Sequence, residues 1–204
     1  MFADRHDAGR RLALALERYR DAPDAIVLGV PRGGVVVAAE VARALGLPLD
    51  VVVTRKIGAP GNPEYAVGAV DADGAVHAGL VAGLPEGYLA RSAAHERDEI
   101  ERRLLAYRAD WEAPAITGAT VIVVDDGIAT GLTLSAAVAY LRRKGAKRIV
   151  IAAPVAAPDS ATRLRGEADE VVTLAEPDGF NAVGQFYARF DQTSDAEVRG
   201  LLKG

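Results

Sequence analysis

The sequence predicts an α/β fold, a mainly parallel sheet flanked by helices. Three observations carry that prediction. Short apolar runs at 26–30, 49–53 and 121–124 are nearly continuous rather than alternating, as strands buried on both faces require. Between them lie stretches with apolar residues at helical spacing, so strand, tight turn, helix and strand recur as βαβ units. The strand-to-helix turns, PRGG at 31–34 and GIATG at 127–131, carry the glycines that sharp connections need.

In chain order, Asp7 can cap a first helix reaching about Tyr19, with Ala8, Leu12, Ala15, Leu16 and Tyr19 on one face. Residues 26–30 form a strand that Pro31-Arg32-Gly33-Gly34 breaks. Val35, Ala38, Ala39, Ala42 and Leu45 stripe the next helix, which stops near Gly46; residues 49–53 form a second strand, apolar except for Asp50. Residues 55–64 read as a loop, since Gly58, Pro60, Gly61, Asn62 and Pro63 disfavour either regular element. Residues 66–70 and 75–78 flank Asp71-Ala72-Asp73-Gly74, a hairpin turn. From about 85 to 112 the chain is strongly charged, and Arg97/Glu101, Asp98/Arg102 and Glu99/Arg103 stand four apart with opposite sign. That helical insertion reads either as solvated surface or as a partner or lid element. Residues 114–118 reset the chain before the Val121 strand. A helix at 132–143, a strand at 148–153, a helix opened by Pro158 and a strand at 170–174 follow. Ser194 with Glu197 signals the cap of a short terminal helix.

At 204 residues the chain fits one domain, 1–204, with a full core. Half the residues are apolar and 25% are charged, which excludes a disordered or collagen-like chain. Aromatics are only 5%, so Val, Leu, Ile and Ala must build the core. The net charge of -4 gives no support to nucleic-acid binding. With no cysteine, disulfides and thiolate chemistry are excluded. The opening MFADRHDAGRRL lacks a signal-peptide core, and no apolar run approaches bilayer length, so a cytoplasmic location is expected.

The chemistry concentrates at VIVVDDGIATGLT, 121–133. A buried strand delivers Asp125 and Asp126 to its C-terminal tip, where open α/β sheets place ligands. Two adjacent carboxylates there are costly unless something pairs with them, and they suit a diol or a hydrated cation. The alternative is a turn that uses acids only to cap glycine-rich backbone. Gly127, Ala129, Thr130, Gly131, Leu132 and Thr133 then present amides and hydroxyls at a helix start, either a phosphate cradle or an ordinary N-cap. Arg32, Gly33 and Gly34 occupy a second strand-to-helix turn, where Arg32 could grip an anion bidentately or the turn could be purely structural. Arg55 and Lys56 follow a third strand and read as neutralising cations or as solvent-facing ones. Three anion-attracting loops beside an acidic pair imply a polyphosphorylated substrate held with Mg²⁺, through the substrate's own oxygens and water rather than a direct protein cluster. GxxxxGK[ST], GxGxxG and GxSxG are all absent. His6, His77 and His95 show no metal-ligand spacing and read as surface or packing residues.

VIVVDDGIATGLT resembles the signature of type I phosphoribosyltransferases, which exchange the diphosphate of 5-phosphoribosyl-1-diphosphate for a nitrogenous base. LGVPRGGVVVAAEVA, TRKIGAPGNPEYAVGAV and PDGFNAVGQFYARF are similar to a bacterial subgroup of predicted members of that family. The resemblance implies that Asp125 and Asp126 bind the ribose 2- and 3-hydroxyls and that residues 129–133 wrap the 5-phosphate. Arg32-Gly33-Gly34 would be the diphosphate loop, which in the family often includes a strained non-proline peptide, and Arg55 and Lys56 would open the flexible catalytic loop. The C-terminal stretch, about 175–204, resembles the family's small hood. There Phe180 is the candidate to stack on a base, or else a hydrophobic plug. The 6-oxopurine members carry an acid at the position of Ala129 and a lysine after the next strand, where Ala152-Ala153-Pro154-Val155 offers none. The implied transferase therefore acts on a base that needs no proton acceptor from Ala129. Alternatives are a non-enzymatic sensor of the same ligand and a sugar-phosphate phosphohydrolase. Analogy to relatives of this fold also suggests a homodimer.

Overall fold

The computed structural model describes residues 1–79, 83–108 and 113–203. Five strands, β1 (Ala25–Gly29), β2 (Leu49–Val51), β6 (Thr120–Val124), β7 (Arg148–Val155) and β8 (Glu170–Ala175), form a parallel sheet in the order β2-β1-β6-β7-β8. Alternate side chains of these strands feed two apolar layers. Ile26, Leu28, Val121, Val123, Ile149 and Ile151 pack against α4 (Leu132–Arg143) and α5 (Pro158–Arg165). Val27, Ile122, Val124 and Val150 face α1 (Arg5–Ala15) and α2 (Gly33–Leu45). Helices on both faces explain why the strand sequences run apolar without alternation.

The connection from β1 leads through α2 to β2 at one edge, whereas that from β6 leads through α4 to β7 on the other side. Strands β1 and β6 are neighbours in register, Gly29 opposite Val124, so their C-terminal ends flank the switch point where open sheets bind ligands.

The structure differs from the sequence expectation in several elements. The predicted loop at 55–64 is instead β3 (Arg55–Ala59) turning into β4 (Asn62–Val70), which pairs with β5 (Val76–Ala78) in an antiparallel sheet. Its Gly and Pro residues punctuate a hairpin rather than abolish it. Gly61 turns the chain at φ +74°, register shifts flank Gly58, and a Cβ on Gly58 would lie 2.5 Å from the Pro63 backbone. The first helix is capped by Asp4, whose side chain accepts from the Asp7 amide at 2.9 Å, while Asp7 accepts in return from the Ala3 amide. It ends at Ala15 and gives way to a 3₁₀ turn, Glu17–Tyr19.

The charged segment contains α3 (Tyr88–Tyr107); residues 109–112 of that predicted stretch lie outside the described residues. Of the expected pairs, Glu99 with Arg103 forms, at 2.7 Å. Arg97 instead donates to the Gly74 carbonyl, and Arg102 pairs with Glu99 and Asp195. The helix is not solvated all round: Ala93, Ile100 and Tyr107, seven residues apart, are buried against Val53, Ile57, Val67 and Val70. The C-terminal helix α6 (Asp195–Leu202) closes the same cluster with Val198, and Ser194 caps it through the Glu197 amide.

Candidate functional site

The β1 and β6 ends meet closely. A Cβ on Gly34 would lie 2.9 Å from the Asp125 Cα and from the Val124 carbonyl oxygen. One on Gly33 would lie 2.7 Å from Arg5 Nε and well inside contact with the Asp126 carboxylate. Only glycine lets the PRGG loop approach the acidic pair this far, and the Pro31–Arg32 peptide bond leading into it is cis. The structure thus brings Gly33, Gly34, Asp125 and Asp126 together.

The two acids sit differently. Asp125 turns Oδ1 back to the Asp126 amide at 2.8 Å. Burial, then the charge of Asp126, pushes its carboxyl well above the ordinary value. Asp126 is also pushed up by burial, but Arg5 opposes this with Nε 2.7 Å from Oδ2. Tyr187 donates its hydroxyl to the Asp126 carbonyl at 2.5 Å. Arg5 and Tyr187 had no signal in the sequence, because they reach the acids from 121 and 61 residues away.

The loop after the acids runs along the hood. A Cβ on Gly127 would meet Val183 Cγ2 at 2.8 Å, so this glycine admits the hood's 3₁₀ turn, Val183–Phe186. Phe180 stacks against Phe186 with ring centroids 5.2 Å apart, in a cluster with Phe2, Val155, Val183 and Tyr187. Ala129 and Thr130 are exposed, and their carbonyls are held from α5: Ser160 donates to Ala129 at 2.5 Å, Arg163 to Thr130. Gly131, at φ +67°, turns the chain into α4. Fixing these carbonyls leaves the loop's shape set, while the first-turn amides from Leu132 and Thr133 onward have no acceptor within the helix. Thr54, just beyond β2, donates to the Thr133 carbonyl at 3.2 Å and ties the antiparallel hairpin to this loop.

The cations are less closely gathered. Arg32 is exposed, with the Asp195 carboxylate of α6 at 4.0 Å. Arg55 and Lys56 lie on β3 rather than in a loop; Arg55 pairs with Glu96 of α3 at 2.7 Å, and Lys56 is exposed. Among the described residues no cluster of three or more His, Asp or Glu could hold a metal ion, and no helix is long and apolar enough to cross a membrane.

Residues 4–190 match the family model of the phosphoribosyl transferase domain. The chain belongs to that family. This phosphoribosyltransferase domain is 45% identical over 206 residues to two Mycobacterium tuberculosis proteins provisionally named phosphoribosyl transferases, Rv0571c and MT0597. The match covers 99% of this chain and 46% of each relative, so the chain spans about half the length of the curated relatives it matches. The crystal structure of TT1426 from Thermus thermophilus superposes with a TM-score of 0.81 at 45% identity, covering 98% of this chain and 97% of that one. The resemblance carried by VIVVDDGIATGLT and the α/β fold class are both borne out. The sheet content is mixed, with the antiparallel hairpin added to the parallel core.

Proposed function

We propose that the domain transfers the 5-phosphoribosyl group from 5-phosphoribosyl-1-diphosphate to a nitrogenous base or small nitrogen acceptor, releasing diphosphate. The observation that carries this reading is the contact of the PRGG loop with the Asp125–Asp126 pair at the switch point, in a chain of this family. Asp125 and Asp126 hold the ribose 2- and 3-hydroxyls, and residues 129–133 wrap the 5-phosphate with their amides and hydroxyls. Arg32, the Gly33 and Gly34 amides and Lys56 stabilise the negative charge that grows on the leaving diphosphate, while Arg55 supports the strand that carries Lys56. Phe180 faces the base from the hood. Ala129 offers no proton acceptor, so the acceptor nitrogen reacts without help from that position.

Mg²⁺ is the cation that this reading implies at this end of the sheet, where Asp125 and Asp126 offer the oxygen donors it takes. Substrate oxygens and water, rather than a direct protein cluster, would hold it beside the acidic pair, and it would supply charge neutralisation for the diphosphate. We further read the chain as one domain with the charged insertion at about 85–112 and the hood at about 175–204, working in the cytoplasm as a homodimer.

The test is diphosphate release from 5-phosphoribosyl-1-diphosphate across a panel of purines, pyrimidines and small amines, with Asp126→Asn in parallel. Acceptor-dependent release that falls on the order of 10²-fold or more in the variant supports the transferase. Release from no acceptor, despite binding, favours a sensor; orthophosphate release without an acceptor favours a hydrolase.

A further inference from the structure

Arg5 stands in the first turn of α1, directly after the Asp4 cap, yet its side chain belongs to the ligand end of the sheet. Nε donates to Asp126 Oδ2 at 2.7 Å, Nη1 donates to the Asp191 carbonyl at 2.7 Å, and the guanidinium lies 3.9 Å over the Phe190 ring. The side chain is only 12% exposed. We propose that Arg5 is a positioning residue of the phosphoribosyl site, clamping the Asp126 carboxylate between the first helix and the C-terminal segment so that it meets the ribose already oriented. This rests on the reading above that Asp126 binds the ribose.

Two physical reasons support it. First, a nearly buried carboxylate needs a partner, and nothing in the Asp125–Gly127 turn supplies a cation; Arg5 does, from across the molecule. Second, a long side chain loses its rotamer freedom once, on folding, when three fixed contacts hold it. The ligand then meets an ordered acid and need not order it. The Tyr187 hydroxyl on the Asp126 carbonyl holds the main chain as Arg5 holds the side chain.

The position matters electrostatically as well. The guanidinium lies directly beneath Gly33, so one cation serves the acidic pair and the adjoining anion loop together. Without it, the acidic pair loses the cation that stands in direct contact with Asp126. Among the described residues, the ionisable groups on Asp126 are Asp125 beside it, Arg5 from α1 and Tyr187 from the C-terminal segment. Asp4 and Arg189 pair with each other just beyond Arg5. Burial raises the Asp126 carboxyl and Arg5 lowers it, so removing Arg5 moves its titration to higher pH.

The experiment uses the full chain and two readouts: calorimetric titration with 5-phosphoribosyl-1-diphosphate over a pH series, and ¹³C NMR titration of the Asp126 carboxyl. In Arg5→Gln the carboxyl titrates at higher pH than in wild type, the affinity falls by about tenfold or more at neutral pH, and the acid limb of the affinity shifts upward. Arg5→Lys keeps the charge without the fork, so it returns the titration toward wild type and recovers part of the affinity. It also decides the matter if Arg5→Gln does not fold, since wild-type affinity in Arg5→Lys would overturn the clamp. A merely structural role would lower the melting temperature and leave the acid limb where it was. An unmoved Asp126 titration, or unchanged affinity in folded Arg5→Gln, overturns the proposal alone. A wild-type protein that does not bind 5-phosphoribosyl-1-diphosphate overturns the functional reading and this proposal with it.

Discussion

Gly33→Ala places one methyl group where the PRGG loop touches the acidic pair. The added Cβ would stand 2.7 Å from Arg5 Nε and closer still to the Asp126 carboxylate. Ordinary contact needs about 3.5 Å, so the guanidinium must retreat by about 0.8 Å and the carboxylate by more. The 2.7 Å Arg5–Asp126 bond cannot survive that unchanged. A hydrogen bond between charged groups contributes about 1.5–3 kcal/mol, which corresponds to about 10- to 150-fold in binding. Overpacking of this kind costs about 1–3 kcal/mol of stability, or roughly 2–12 °C in melting temperature for a chain of this size. Gly34→Ala differs, because its Cβ meets backbone at the Val124 carbonyl and Asp125 Cα, so the loop itself must lift from β6 and stability suffers more. Calorimetry with 5-phosphoribosyl-1-diphosphate and thermal unfolding, run on both variants, separate the two effects. Wild-type affinity in a folded Gly33→Ala protein would refute the reasoning, since it would mean the loop and the acids do not work as one surface.

Three further outcomes are expected. Asp125→Asn removes a carboxyl whose folded pKa is raised by burial, and such a group contributes stability below its usual value that is lost as pH rises through the folded one. The variant should therefore melt at a higher temperature at neutral pH while losing on the order of 10²-fold in turnover, and a lower melting temperature would contradict this. Asp71 is fully buried and accepts from His77 Nε2 at 2.6 Å, Arg143 at 2.7 Å and the Asp73 and Ala75 amides. Asp71→Ala strands these donors and should cost about 3 kcal/mol, or about 6–12 °C, in thermal unfolding; a change within about 2 °C would deny the cluster its role in holding the β4–β5 turn. Arg102, with Arg103, holds the Glu99 carboxyl down to about 2, so its contribution to stability is present above the usual 4.5 and lost as pH falls toward 2. The stability difference between Glu99→Gln and wild type, from denaturant unfolding between pH 6 and 3, should therefore narrow toward the acid end, and a constant difference would count against it.

Much of the frame was legible because it is local. The continuous apolar runs gave β1, β6 and β7, Pro158 opened α5, and helix 132–143 came from the apolar spacing after Gly131. Asp125 and Asp126 were legible for the same reason: carboxylates that follow four buried residues stand out. The hairpin at 55–70 was hidden because Gly58, Gly61 and Pro63 break periodicity while serving as bulge and turn. Glu101 and Asp98 pointed to helix pairs, yet Arg97 and Arg102 turned to Gly74 and Asp195, acceptors that only the tertiary fold supplies. Arg5 was invisible for the same reason. DRHD reads as a helix cap, and nothing in it says that its arginine reaches a strand tip more than a hundred residues on.

The most direct test is calorimetric titration of the folded protein with 5-phosphoribosyl-1-diphosphate, with and without Mg²⁺. The account predicts saturable one-site binding that strengthens when Mg²⁺ is present and is lost in Asp126→Asn. No heat of binding from folded wild-type protein, under either condition, would contradict it and mean that these loops serve a different phosphorylated ligand.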